Sequence, residues 1–523
     1  MKNRRRSRPP GWCLDRTLYQ VNLRQFTQEG TLRAFRAHLP RLRDLGVGIL
    51  WFMPIHPIGE VGRKGSLGSY YAVRDYRKVN PEHGTMRDFD RTVRAANEHG
   101  MEVILDWVPN HTAWDHPWIR KHPEWYRRDP DGRILPPVPD WTDVAQLDYG
   151  TESGIRETLP SRKTGTGGRG ASAATRGTSG SGPKVPPHTR ALWDEMQSCM
   201  EFWVRDHGVA GFRCDVAAFL PLRFWQETRI RLRRLREVFL LAEADGPGMH
   251  DDAFDATYGW TLQRGLEDVR RGHRIPHGLG DTPQERKPFR ARELEALLRR
   301  DLRAYPADAL RMQMTSNHDA NSWTGSVFHR LGRDGAELGA VLSFVFPGIP
   351  LIYNGQEAGS KRRLAFFEKD EIPWPEESRE HAFSRLYREL AAIRRESPLL
   401  RSGSEGAPIR FLKHDHDDVI AFVREDARGA IFGVFQLGAD SATNDSEPSG
   451  RGRPVVLRPR CRFPLRLRFA SGGSRGGVGE PSPDATGYGA VATVREIPPM
   501  SGPVEAFDAD AERKRWRCAV WTS

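Results

Sequence analysis

Cysteine is scarce in this chain: 523 residues hold five, at Cys13, Cys199, Cys214, Cys461 and Cys518, far apart and without any CxxC spacing. That pattern argues against a disulfide framework and against a zinc site, and leaves reduced thiols as the expected state. No uninterrupted apolar run approaches the roughly 18 residues of a membrane span, and the basic start MKNRRRSRPP leads into GWCLDRTLYQ without the apolar core of a secretory signal. A cytoplasmic location is therefore expected. Also missing is any basic helix with interleaved aromatics, the pattern a nucleic-acid face would carry. The formal charge of +12 is local: residues 1–10 carry five basic groups, 158–190 six and 451–475 eight, none with an acid, which leaves −7 for the remainder. Solvated charge in a tail, an insert and one Arg-alternating stretch accounts for it. Neither nucleic acid nor a membrane is expected as a partner.

What is present is ample material for a core, with 38% hydrophobic residues, 15 Trp and 24 Phe. Because single cores stop growing at about 250–300 residues, one large domain with additions is expected. Eight apolar runs read as strands, at 17–26, 48–55, 102–107, 209–215, 238–244, 254–260, 311–316 and 349–354. Helical patterns lie between them, such as TMRDFDRTVRAANEHG, with Thr85 and Asp88 as a capping signal and Gly100 as a stop, and ALWDEMQSCMEFWVRDHG, ending at Gly208. Continuous rather than alternating apolar strands, each followed by a helix, indicate a parallel sheet covered on both faces. Eight such units make the expected fold class α/β, a (β/α)8 TIM barrel. Strand 3 ends near Trp107 while helix 3 begins only near Ala191, so a small domain is expected between them.

Chemistry in such barrels sits at the C-terminal strand ends. Strand 3 ends in DWVPNH with Asp106, Asn110 and His111, strand 4 in GFRCDVA, strand 5 in LLAEAD with Glu243, and strand 7 in MTSNHDAN with His318 and Asp319. The strand period of two places Arg213 and Asp215 on one side of strand 4 and Cys214 on the other. Asp215 and Glu243 lie 28 residues apart, one βα unit, and so are expected at neighbouring strand ends. Two adjacent carboxyls, about 5–5.5 Å apart, are what a retaining glycosidase requires. A purely structural ion pair explains Asp106 and Arg213 taken singly, but an acid closing a buried strand, as Glu243 does, has few inert uses.

These four strings, in this order, resemble the signature regions of the alpha-amylase family of glycoside hydrolases, family 13, and the likeness runs from about Leu18 to about Leu400. The resemblance implies Asp215 as nucleophile, Glu243 as general acid and base, and Asp319 as the third carboxylate gripping the sugar. It further implies that Arg213 orients the nucleophile, that His111 and His318 bind the ring at the cleaved bond, that Tyr71 in GSYYAVRDY stacks beneath it, and that Asp106 braces the site. The position of Asn110 often supplies a calcium ligand in the family, but Gln146 in VAQLDY stands where an acid usually binds that ion, which counts against calcium here. NGQEAG, with Asn354, Gln356 and Glu357, also resembles the family at the rim.

The expected organisation is a basic disordered tail at 1–11, the barrel at 12–111 and 191–403, an inserted domain at 112–190 with a disordered low-complexity stretch at 158–190, and an antiparallel, sandwich-like β-domain at 404–523. The aromatics of WDHPW and HPEWY are read as packing for the inserted domain. The expected function is retaining hydrolysis of α-glucosidic bonds, α-1,4 with α-1,6 left open, in maltooligosaccharides or related α-glucans. The alternatives are a glucanotransferase or isomerising member of the family and a non-catalytic glucan-binding protein on the same barrel.

Overall fold

The computed structural model describes residues 8–150, 185–274, 288–376 and 379–437, and beyond them short strands at 456–457, 465–471, 496–497, 504–505 and 517–522. Eight parallel strands close a barrel: β1 Leu18–Val21, β2 Ile49–Phe52, β3 Glu102–Trp107, β4 Gly211–Cys214, β5 Phe239–Ala242, β6 Ala256–Tyr258, β7 Leu310–Gln313 and β8 Ile349–Tyr353, each beside the next and β8 beside β1. Each falls within or overlaps one of the expected runs. The first run was read too long: Asn22 gives its backbone N–H to the Asn354 carboxamide, Arg24 is buried against Gly68 and Leu67 carbonyls, and Leu23–Phe26 turns into helix. Partners distant in sequence overrule the apolar pattern there.

The strand period of two sorts the barrel's side chains into two cores. Leu18, Ile49, Trp51, Ile104, Leu241, Tyr258, Met312 and Leu351 fill the lumen, while Tyr19, Leu50, Val103, Leu105, Phe212, Cys214, Leu240 and Ile352 pack outward against the helices. Cys214 therefore lies behind β4, as its parity requires. Among the helices, Met86–Glu98 opens on the capping box of Thr85 and Asp88, with Gly100 following in the left-handed region at φ 76°. Pro187–His207 begins four residues before the expected start, Pro187 occupying its first turn, and ends at Gly208 with φ 70°.

Between β3 and that helix, His111–Ala113 pairs antiparallel with Val144–Gln146. Trp118, Trp125 and Tyr126 are buried beneath this pair, which agrees with packing rather than a sugar groove. Of the low-complexity stretch expected to be disordered at 158–190, residues 158–184 lie outside the described residues, as does 1–7 of the tail, whereas 187–190 are the first turn of a helix, and Gly11, expected in the disordered tail, opens a 3-10 turn. At the C-terminus β9 Ile409–Phe411, β10 Val419–Asp426, β11 Gly429–Gln436, β12 Leu465–Ser471, β13 Glu496–Ile497 and β14 Arg517–Thr522 form an antiparallel sheet in the order β9-β10-β11-β14-β12-β13. Part of the Arg-alternating stretch is thus strand β12. The sheet docks on the barrel through Phe346, whose ring lies 6.0 Å from Phe422 and 6.3 Å from Phe411, and through buried Arg424, which donates to the carbonyls of Val345 and Ala407.

Candidate active site

Register delivers the charged groups to one place. β3 pairs with β4 so that Asp106 lies opposite Arg213, and both side chains face the lumen. Arg213 is fully buried, and its Nη1 donates to Asp106 Oδ1 at 2.8 Å and to Asp215 Oδ1 at 2.9 Å. Its Nε donates to Tyr258 Oη at 3.0 Å. The other terminal nitrogen lies 2.9 Å from Glu243 Oε1 without hydrogen-bond alignment, so that contact is one of charge alone. Glu243 is instead held directionally by the Val216 backbone N–H, 2.8 Å from Oε2. Val216 makes this bond at φ 36° and ψ 45°, a left-handed conformation that strains a β-branched residue and that concentrates at functional sites.

Three carboxyls face one guanidinium. Burial, then the charge of Glu243, pushes the Asp215 carboxyl well up from the ordinary carboxylate range, and Arg213 opposes them. Burial likewise lifts Asp106 to about 6 against the pull of Arg213. Arg213 itself is held charged against its burial by Asp106 and Glu243. Asp106 and Asp215 so placed hold a proton to higher pH than isolated carboxyls do, and their titration belongs to the coupled group rather than to one carboxyl.

A second chain of hydrogen bonds braces the aromatic side. Gln20 accepts from the His318 backbone N–H at Oε1, which turns its amide nitrogen to His318 Nδ1 at 2.8 Å. His318 therefore carries its hydrogen on Nε2, which donates to Tyr71 Oη at 2.7 Å, and Tyr71 in turn donates to Asp106 Oδ2 at 3.1 Å. The Tyr71 and His318 rings stack 5.5 Å apart. Burial and Arg213 lower His318 to about 3, so it stays neutral. Asp319 lies 3.3 Å from His318 Nε2 with its side chain 42% exposed, at the open end of the cluster.

Asp106, Arg213, Asp215, Glu243, Tyr71, His318 and Asp319 thus meet in one network. His111 is buried beside it, its ring reaching the Tyr71 backbone and lying 5.5 Å from that of Trp141, and burial lowers it to about 3. Asn110 is not part of the network: its side-chain amide nitrogen faces His111 Nδ1 at 3.3 Å, and its backbone carbonyl accepts from the Leu147 backbone N–H. Around it the pairing partner of His111 is the neutral Gln146. These neutral donors, without a carboxylate among them, do not fit calcium, and among the described residues no group of three or more His, Cys, Asp or Glu side chains is placed to hold a metal ion.

Sequence patterns did not point to Trp51, which donates to Asp106 Oδ2 at 3.2 Å, to Tyr258, or to Gln20. All three are inward positions on barrel strands, and strand parity was the available signal. The NGQEAG residues prove structural: Glu357 is fully buried, accepting from Tyr19 Oη at 2.5 Å and from Arg41 at 3.0 Å, and Gln356 donates to Thr315.

Residues 6–153 match the family model described as "Alpha amylase, catalytic domain". A solved alpha-amylase from Lactobacillus plantarum is 27% identical with a TM-score of 0.66, covering 87% of this chain and 92% of its own. The chain is similar to the alpha-amylase family in these residues and in fold. "Alpha-amylase 2" of Dictyoglomus thermophilum is 22% identical over 459 residues, 82% of this chain and 70% of that protein. A relative of another named activity, the alpha-1,4-glucan:maltose-1-phosphate maltosyltransferase of Cereibacter sphaeroides, is 27% identical over 439 residues, 79% of this chain. This chain spans only 63% of that transferase, and 57% of the alpha-amylase MalA of Haloarcula japonica.

Proposed function

We propose that the chain is a retaining glycoside hydrolase cleaving α-glucosidic bonds in maltooligosaccharides or related α-glucans. The observation that carries this reading is the single guanidinium of Arg213 reaching both Asp215 and Glu243 at the barrel mouth. In the first step Asp215, ionised, attacks the anomeric carbon as the bond to the departing oxygen breaks, and Glu243, acting as the general acid, gives that oxygen its proton. A glycosyl ester on Asp215 results. In the second step Glu243, now a carboxylate, takes a proton from water, which attacks the same carbon and frees Asp215. Arg213, reaching both groups, offsets charge on whichever carboxyl is ionised. Asp319 faces the sugar hydroxyls, Tyr71 and His318 flank the ring, His111 lies beside it, and Asp106 fixes Arg213 and Tyr71.

The cytoplasm is the compartment we propose, supported by cysteine usage: Cys13, Cys199 and Cys214 are buried and free, and no described helix is long and apolar enough to cross a membrane. The degradation of starch or glycogen follows as the metabolic setting. Transfer instead of hydrolysis has specific support in the maltosyltransferase relatives, since both outcomes share the glycosyl ester and differ in whether water or a sugar receives it.

The test is product analysis on maltoheptaose, panose and isomaltose with the wild type and Asp215→Asn. The wild type is expected to release short sugars, and Asp215→Asn to lose at least about a thousandfold in kcat. Products longer than the substrate would assign transfer. An inert wild type would overturn the enzyme reading in favour of glucan binding.

A further inference from the structure

The proposed chemistry leaves unused an array of rings that runs from Tyr71 to the loops after β7 and β8. Phe366 stacks on Tyr71 with centroids 6.1 Å apart and planes 11° from parallel, and Trp323 continues from Phe366 at 5.3 Å and 32°. Phe367 backs both rings, 5.0 Å from Phe366 and 6.1 Å from Trp323. Trp323 is 52% exposed, which costs apolar burial unless something covers it. It is held out by the π-helical turn Ala320–Thr324, a rare conformation that recurs at functional sites.

The array is also rigid. The loops after β7 and β8 are fastened together by Leu364 N–H to Asn321 Oδ1 at 2.8 Å, Asn321 Nδ2 to the Arg362 carbonyl at 3.1 Å, and Arg363 Nε to the Ser322 carbonyl at 2.6 Å. The Trp323 side chain is within hydrogen-bonding reach of Asp319. A fixed aromatic face with a carboxylate at its edge suits a pyranose, which presents an apolar C–H face ringed by hydroxyls.

Topology gives the direction. Glu243 follows β5, and the departing sugar must lie beside it. Tyr71 and Phe366 come from loops after β2 and β8, each three strands from β5 around the closed barrel. Tyr71 and Phe366 therefore lie across the mouth from the leaving group, and Trp323, which follows β7 two strands from β5, extends from Phe366. We propose that Phe366 and Trp323 form a stacking platform for glucosyl units on the side of the cleaved bond that the enzyme retains, so that the chain favours oligosaccharides extended in that direction. The inference rests on the assignment of Glu243 as the acid.

The test compares p-nitrophenyl α-glucoside with p-nitrophenyl α-maltotrioside, which share a leaving group and differ only in units on the platform side. For Phe366→Ala and for Trp323→Ala the ratio of kcat/KM for the long to the short substrate is expected to fall about tenfold, mainly through KM for the long one. Trp323→Phe keeps a ring but not the indole N–H, and is expected to keep the ratio within about threefold of wild type. An unchanged ratio in both alanine variants overturns the platform. So does a fall in Trp323→Phe as deep as in Trp323→Ala, since the indole would then serve Asp319 alone. A wild type inert on both substrates refutes the functional assignment separately. Calorimetric binding of maltopentaose to wild type and Phe366→Ala then reads the platform alone, which stands if affinity drops about tenfold and falls if it does not.

Discussion

Asp106 touches no sugar in the proposed reaction, yet it sets the terms on which Asp215 ionises. Its charge raises the Asp215 carboxyl, and it takes half of the Arg213 Nη1 that Asp215 also uses. Replacing it as Asp106→Asn removes the repulsion and leaves that donor to Asp215 alone. The acid limb of the kcat/KM profile against pH is expected to move to lower pH, with a smaller maximum; a limb that stays or rises contradicts the coupling. Stability runs the other way. Carboxyls raised in the folded state bind protons more tightly there than when unfolded, so their contribution is complete below about 4 and is lost as pH rises through the folded values, about 6 for Asp106. Activity is thus gained across the interval in which this part of the stability is lost. Much of this site was readable from residue types at strand ends: Asp106, Arg213, Asp215, Glu243 and His318 needed only strand parity and order. Val216 was not, because a left-handed valine depends on the Glu243 carboxylate that rewards it, and no local pattern encodes that.

At the level of elements, the site depends on how closely β4 and β5 approach. A Cβ placed on Gly211 would meet the Phe239 carbonyl oxygen at 1.9 Å, with no flexible side chain to yield. Gly211→Ala is expected to cost about 1–3 kcal/mol in denaturant unfolding and, by prising apart the strands that carry Asp215 and Glu243, to lower kcat at least about tenfold. A variant that loses stability but keeps kcat would mean the strand ends tolerate the shift. Strand existence was legible because barrel strands are apolar on both faces. Their ends were less so: β1 stops at Val21 where Asn354 and the Gly68 carbonyl capture Asn22 and Arg24, residues more than 40 positions away in sequence. The start of Pro187–His207 was misplaced for the opposite reason, since a proline in a polar run reads as linker until it occupies a helix's first turn.

Taken whole, the barrel is covered at Phe346 by the C-terminal sheet. Phe411 and Phe422 pack on Phe346, and Arg424, buried and lowered to about 9 by that burial, spends its donors on carbonyls of Val345 and Ala407. A chain ending at residue 403 would expose Phe346 and orphan the Val345 carbonyl. It is expected to be recovered as aggregate, measured by the soluble fraction and by size-exclusion chromatography; a soluble, active barrel would show the sheet to be dispensable. The sheet's presence was legible in the apolar runs of VIAFVRED and GAIFGVFQL, whereas its order, with β14 between β11 and β12, was not, because pairing of distant strands leaves no local trace.

The crowding of Asp106, Asp215 and Glu243 around one guanidinium also makes the mouth selective among inhibitors. A sugar mimic with a basic nitrogen at the anomeric position arrives as the cation that these acids lack. Its affinity should climb as the cluster sheds protons and decline once the nitrogen loses its own, a bell in pH that an uncharged lactone of the same shape would not trace.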